Sequence, residues 1–273
     1  NLSRDFQQNY ETVFFNHFLK NDGKGAIDFP EASMYDSGSR EWDSYAQWPP
    51  KAAETKSFYL GADQKLTESA SADFENAFVS DPSKPVPYSE DIKMVFTPRK
   101  YMTDDQRFAA RRPDVLVYET EVLDDDMTIT GEILAKLQVA TTGTDADWVV
   151  KLVDVYPAGA EDYPETQDYL KMDNYQMMVR SEVMRGRFRE SFSEPKAFEA
   201  NQKTEVDLTL QGVNHTFLKG HRMQIQIQST WFPLIDRNPQ TFVPNIYKAD
   251  AEDFQKQTHT VFGDSEIQFK VLK

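Results

Sequence analysis

The scarcest chemistry-bearing residues in this chain are its four histidines, His17, His215, His221 and His259. No two stand at the i, i+4 spacing that lets one helix face offer two imidazoles to zinc. His215 and His221 flank a turn ahead of a strand; they could meet in space, but their spacing does not require it. His17 lies beside aromatic residues of a helical pattern and reads as a helix-surface or interface histidine. Cysteine is absent, which removes disulfides, thiolate catalysis and cysteine-ligated zinc together. No G-x-S-x-G occurs, so there is no nucleophile elbow, and no phosphate loop or dinucleotide fingerprint occurs either. Asp145 and Asp147 in "TGTDADW" could ligate calcium, but the Gly and distal Glu of an EF-hand loop are missing, and a strand-initiating turn is the commoner meaning. "NHT" at 214–216 matches the glycosylation sequon, a pattern that chance supplies often. Asp and Glu number 45, yet no spacing marks two of them as an acid/base pair. The pattern assigns no catalytic residue, no metal ligand and no cofactor.

One stretch is unusual for a turn. "STWFPLIDRNPQT", residues 229–241, follows a clean strand and holds Trp231, Phe232, two prolines and the cluster Asp236, Arg237 and Asn238. Pro233 and Pro239 lower the entropy cost of ordering. Trp231 and Phe232 offer about 2 kcal/mol or more each when fully buried. Asp236, Arg237 and Asn238 are expected to satisfy one another and the turn backbone.

The elements that carry these residues are mostly strands. A helix is expected over "DFQQNYETVFFNHFLKNDGKG": Phe6, Tyr10, Val13, Phe14 and Phe18 recur at helical spacing, and Gly23 and Gly25 end it. Its large aromatic face needs a large partner surface. "EASMYDSGSREWDSYAQWPP" reads as a short strand and an aromatic connector, with a boundary at Pro49 and Pro50. Strands are then expected at "ETKSFYL", "IKMVFT", "DVLVYET", "EILAKLQVA", "DWVVKLVDVYP", "TEVDLTL", "HRMQIQIQS" and "EIQFKVL". Residues 63–91 read as polar connection, Pro-rich and extended over "DPSKPVPYSED". Ile133, Ala135, Leu137 and Val139 share one face, as do Met223, Ile225 and Ile227, with Arg222, Gln224, Gln226 and Gln228 outward. "DWVVKLVDVYP" is apolar on both faces apart from Lys151 and Asp154, the mark of a central strand. Many strands, long connections and little helix give a mainly β protein, an antiparallel β-sandwich of jelly-roll type.

Composition narrows the partners. The chain of 273 residues is 39% apolar and 13% aromatic, so it is globular. Its net charge of −15 argues against nucleic acid, whose phosphates need clustered Lys and Arg. No apolar run reaches the roughly 20 residues of a membrane helix, and no signal peptide is visible. The start at Asn1, without Met and directly ahead of a helix, looks like a cut end. Arg112 reads as an ion-pair or cap partner, and Arg185, Arg187 and Arg189 as partners of the chain's own carboxylates. Trp42 and Trp48 read as packing at the connector.

Several long stretches together resemble one family. "RRPDVLVYETEVLDDDMTITGEILAKLQVATTGTDADWVVKLVDVYP", "VMRGRFRESF" with Pro195, "NHTFLKGHRMQIQIQSTWFPLIDRNP" and "FVSDPSKPVPY" are similar to the C-terminal domain of the cocaine-esterase and X-Pro dipeptidyl-peptidase family of serine hydrolases. "YMTDDQRFAARRPDV" and "FPLIDRNPQTFVPNIYKADAEDFQKQTHTVF" look closest to the branch of α-amino-acid ester hydrolases and glutaryl-7-ACA acylases. The resemblance implies a galactose-binding-like jelly roll over 51–273. It also implies that residues 1–50 are the tail of an α/β-hydrolase domain, whose last helix "YETVFFNHFLK" resembles. The family's catalytic His precedes that helix and its Ser and Asp lie further upstream, so no triad member is carried onto this chain.

The implied function is that of a non-catalytic portion of a serine hydrolase. Its partners would be its own upstream hydrolase and cap domains and, through the parent, a small ester or amide substrate; X-Pro dipeptides are the second choice. No nucleic acid, membrane or cofactor is expected, a homo-oligomer is compatible, and relatives of the branch are often exported, to a bacterial periplasm or beyond. Trp231, Phe232, Asp236, Arg237 and Asn238 are then candidates for docking on the catalytic domain or walling its pocket; the plainer alternative is a plug at one end of the sandwich. A stand-alone carbohydrate-binding module is the rival function, against which the aromatic first helix counts. A metal-dependent β-fold enzyme is weakened by the lack of a His cluster.

Overall fold

The computed structural model describes residues 2–20, 27, 29–71, 73–91, 99–164, 166 and 168–272. Two antiparallel sheets pack face to face. The larger has the order β4 (Leu66–Thr67), β3 (Glu54–Leu60), β13 (Glu266–Leu272), β7 (Met127–Thr141), β12 (Gln257–Phe262), β5 (Glu75–Ser80), with β10 (Thr204–Phe217) along the other side of β7. The smaller runs β6 (Val115–Glu119), β11 (Arg222–Gln228), β8 (Asp147–Val155), β9 (Gln176–Arg185). The length of β7 lets it pair with β13 through Thr128–Lys136 and with β12 through Val139–Thr141 on a single edge.

Period-2 alternation drives this arrangement. Ile129, Ile133, Ala135, Leu137 and Val139 of β7 are buried, as are Val206, Leu208 and Leu210 of β10. They meet Met223, Ile225 and Ile227 of β11 and Trp148, Val150 and Leu152 of β8 in one continuous core. The sandwich expectation thus holds. The sandwich strands missed in the sequence are β4, β5, β9 and β12. Only Phe78 and Ser80 of β5 are buried, and β9 is an edge strand with little alternation, so neither leaves a strong pattern. "IKMVFT", Gly23 and Gly25 lie outside the described residues.

The outer face of β8 and β11 is covered. Val149 packs with Tyr88 and Trp231, with Tyr101, Met178, Leu234 and Ile235 around them. The outward glutamines Gln224, Gln226 and Gln228 are therefore fully buried rather than solvated. Lys151, on the same outer face as Val149, is 0% exposed.

Residues 2–20 are helical (α1), with π-type turns at Gln7–Glu11. The hairpin β1 (Ala32–Tyr35) and β2 (Trp42–Tyr45) follows, where the sequence suggested one strand. Tyr10 ties the helix to it, stacking near Phe29 and Trp42 and sharing a hydrogen bond with Ser33 Oγ at 2.9 Å. Phe14, Phe15, Phe18 and Leu19 remain exposed, Leu19 by 74%.

Candidate functional site

The 229–241 loop closes over the outer face of the smaller sheet. Its backbone is fixed first: Phe232 N donates to Val86 O at 3.0 Å and Tyr88 N to Phe232 O at 2.9 Å. This pairs the loop with the Pro-rich segment and turns Trp231 inward, where it is 5% exposed beneath Tyr88 and Tyr101. Phe232 points the other way and is 40% exposed. Asp236, Arg237 and Asn238 do not satisfy one another as expected. Asp236 accepts from Tyr247 Oη at 2.7 Å. Arg237 donates to Pro82 O at 3.0 Å and lies over Phe232 and Phe254. Asn238 is buried and donates to Asp147 Oδ1 at 2.7 Å while accepting from Gln240 N. Asn238 thus meets the turn backbone as expected, through Gln240 N, but the other partners of the three residues come from elsewhere in the chain.

Asn238 joins the loop to a buried charge cluster. Asp147 receives Arg185 at 3.1 Å, and Asp145 receives Arg187 Nε at 2.7 Å. Burial pushes Asp147 up to about 6, against the pull of Arg185 and Asn238. Burial also raises Asp145, and the Arg187 charge opposes it. Arg187 further donates to Val243 O and lies 4.6 Å from the Phe242 ring. These carboxylates are held by guanidinium groups, as the sequence suggested for Arg185 and Arg187. Arg189 lies 3.7 Å from the Glu190 carboxylate and also donates to the Gly186, Lys196 and Ala197 carbonyls, because the chain leaves the strand at Arg185 for a 3-10 turn. Arg112 pairs with Asp114 at 2.8 Å. Among the described residues no group of His and carboxylates could hold a metal ion.

The second constellation was only half visible in the sequence. His215 and His221 do meet, on the fully buried Asp154: His221 Nδ1 lies 2.8 Å from Oδ1 and His215 Nε2 lies 3.2 Å from Oδ2. Burial alone would raise the Asp154 carboxyl, but the contacts with the two histidines outweigh it and hold it low. His215 Nδ1 in turn meets Ser37 Oγ at 2.9 Å. Ser37, His215 and Asp154 thus stand in series, but not as a hydrolase triad: His215 Nε2 and Asp154 Oδ2 lie close without a hydrogen bond, and the surroundings lack an oxyanion hole. Ser37 N donates to Asn214 O, and Gly38 N and Ser39 N both donate to Asp36 Oδ1, so none of these amides is free to hold an oxyanion.

The series belongs to a joint between the hairpin and β10. Asp36, 1% exposed, accepts from Thr216 N at 3.0 Å and Thr216 Oγ1 at 2.5 Å. Asn214 bonds both Asp43 and Tyr45. The backbones are so close that a Cβ on Gly38 would stand 1.8 Å from Thr216 O. His259 is buried as well; burial lowers its pKa to about 3, and its Nε2 lies 2.6 Å from Gln240 Oε1.

Structurally, then, the chain is an antiparallel β-sandwich with a helix and hairpin locked to its long β10 strand. It belongs to the family described as X-Pro dipeptidyl-peptidase C-terminal non-catalytic domain, which matches residues 24–271, and so to the non-catalytic C-terminal domains of CocE/NonD-type hydrolases. It is 30% identical over 240 residues to a cocaine esterase of Rhodococcus sp. (strain MB1 Bresler), covering 84% of this chain and 39% of the esterase. An α-amino acid ester hydrolase structure superposes with a TM-score of 0.89 and 38% identity, over 99% of this chain and 45% of that one. An aminopeptidase from a marine sediment archaeon, Thaumarchaeota archaeon, gives a TM-score of 0.89 and 37% identity, over 98% of this chain and 44% of that one. The chain spans less than half the length of these relatives.

Proposed function

We propose that this chain is the C-terminal portion of a serine hydrolase and docks on that enzyme's catalytic domain, helping to wall its active site. Residues 1–50 are then the tail of the hydrolase domain and 51–273 the jelly roll. The observation that carries this reading is the helix α1: Phe14, Phe15, Phe18 and Leu19 form an exposed apolar surface that no part of the described chain covers. Burying that surface is worth several kcal/mol, and a linked domain supplies the cover. In the 229–241 loop, Trp231 stabilises the loop from within, and Phe232 with Arg237 forms its outward edge. The parent would hydrolyse small acyl or α-aminoacyl esters and amides through an acyl-enzyme, with the nucleophile outside these residues.

A fluorophosphonate serine-hydrolase probe tests this. The 273-residue chain should remain unlabelled, and the chain joined to the sequence encoded upstream of it should label stoichiometrically. Stoichiometric labelling of the shorter chain, abolished by Ser37→Ala, would refute the assignment.

A further inference from the structure

The hairpin, described residues of the 156–175 connection and β9 line a cleft of about 860 Å³. Its size lies within the roughly 300–1,000 Å³ range of small-molecule sites. Six tyrosines line it: Tyr35, Tyr101, Tyr156, Tyr163, Tyr169 and Tyr175. Met102, Met172, Met177 and Met178 fill the wall between them. Methionine and tyrosine together make a surface that adapts to a flat ring and still offers hydroxyl donors.

The charges are one-sided. Among the described residues that line the cleft there are two arginines, Arg40 and Arg180, and no Asp or Glu. That is notable in a chain with 45 acidic residues and a net charge of −15. Arg40 lies 4.1 Å from the centre of the Tyr163 ring, so a protein cation already occupies that aromatic face. Arg180 is partly buried and faces no carboxylate. Its guanidinium donates to Gly212 O through Nε and Nη2 and to Val179 O through Nη1. Three of its five N–H groups are used, which leaves two. Burial disfavours its charge, and an anion brought into the cleft would stabilise that charge. Ser37, Thr103, Ser181 and Gln211 supply neutral polar groups on the same wall.

We propose that this cleft binds a small carboxylic acid bearing an aromatic ring, with the carboxylate on Arg180 and the ring among the tyrosines. The charge pattern selects against the alternative that a tyrosine-rich wall suggests, a quaternary ammonium: a ligand cation would face the Arg180 guanidinium and no carboxylate among the described lining residues. A neutral ring compound would fill the same space without relieving Arg180. The loop at 229–241 touches the cleft only from behind, where Trp231 packs against Tyr101 and Met178.

The test is an isothermal or NMR titration with phenylacetate, phenylacetamide and phenethylammonium as probes, which share a ring and differ in charge. Phenylacetate should bind at roughly millimolar Kd or tighter. Phenylacetamide and phenethylammonium should each bind at least about tenfold more weakly. Arg180→Gln should remove the preference for the acid over the amide. Because Arg180 also holds Gly212, a second variant leaves that contact alone: Met102→Trp fills the mouth of the cleft and should abolish binding of all three probes. The titrations are repeated on the chain joined to its upstream sequence. Equal affinity for acid and amide, binding that survives Met102→Trp, no binding of phenylacetate, or binding lost in the longer protein because its other domains fill the cleft would each overturn the proposal.

Discussion

Replacing Lys151 by Met should stabilise the protein below neutral pH and flatten its alkaline stability profile. Lys151 sits in the middle of β8 on its covered face, 0% exposed. Its ammonium donates to Gln106 Oε1 at 3.0 Å and lies 4.9 Å from the Trp231 ring, with no carboxylate against it among the described residues. Burial drives its pKa down to about 7 from 10.5. In the unfolded chain the amine titrates near 10.5, so between pH 7 and 10.5 the unfolded state holds a proton that the folded state lacks. Stability therefore rises with pH across that window and is lowest below 7, where both states are protonated and the fold carries a buried charge. A gap of this size corresponds to roughly 5 kcal/mol. Methionine has a similar volume and no charge. It also leaves Gln106 Oε1 without its donor, which costs about 1–3 kcal/mol. The net expectation is a gain of about 2 kcal/mol at pH 6 that vanishes or reverses by pH 10. Urea denaturation of both proteins at intervals from pH 6 to 10 reads it directly. Parallel pH profiles for wild type and Lys151→Met, or a variant less stable at pH 6, would refute the assignment of a desolvated amine.

Two further outcomes can be checked by the same denaturation assay. Arg187→Met should cost about 3–5 kcal/mol by leaving Asp145 buried without its partner, and Asp145→Leu in the same chain should return part of that loss; a single-variant cost below about 1 kcal/mol would show that the pair is not closed to solvent. Trp231→Ala should cost about 3–5 kcal/mol, whereas Phe232→Ala in this chain should cost under about 1 kcal/mol. Comparable losses from the two would contradict the inward and outward placement of the neighbours.

The β pattern was legible because alternation is a local signal. Ile133 to Val139 and Met223 to Ile227 announce their faces without reference to anything distant. Edge strands gave less: β9 has Met and Val on both faces and β5 keeps two buried side chains, so no clear alternation marks them. The loop at 229–241 was conspicuous for its aromatics and prolines, but its polar residues were assigned to one another. They bond instead to Tyr247, Pro82 and Asp147, contacts that depend on where three other segments come to rest. Ser37 carried no signal at all, and its link to His215 spans 178 positions.

The sequence by itself determined an antiparallel sandwich, a central β8 apolar on both faces, an aromatic helix in need of a partner and a match to one hydrolase family. Long ordered motifs and period-2 burial suffice for that, since both are written in neighbouring residues. Only the tertiary structure decided that two histidines share Asp154, that Lys151 and three glutamines lie under a cover, and that Arg180 faces a tyrosine-lined cleft with no carboxylate among its described lining residues. Such polar contacts follow from which strands become neighbours and which segments fold back over them. Their energies come from desolvation and the geometry of distant partners, quantities that no short window of sequence contains.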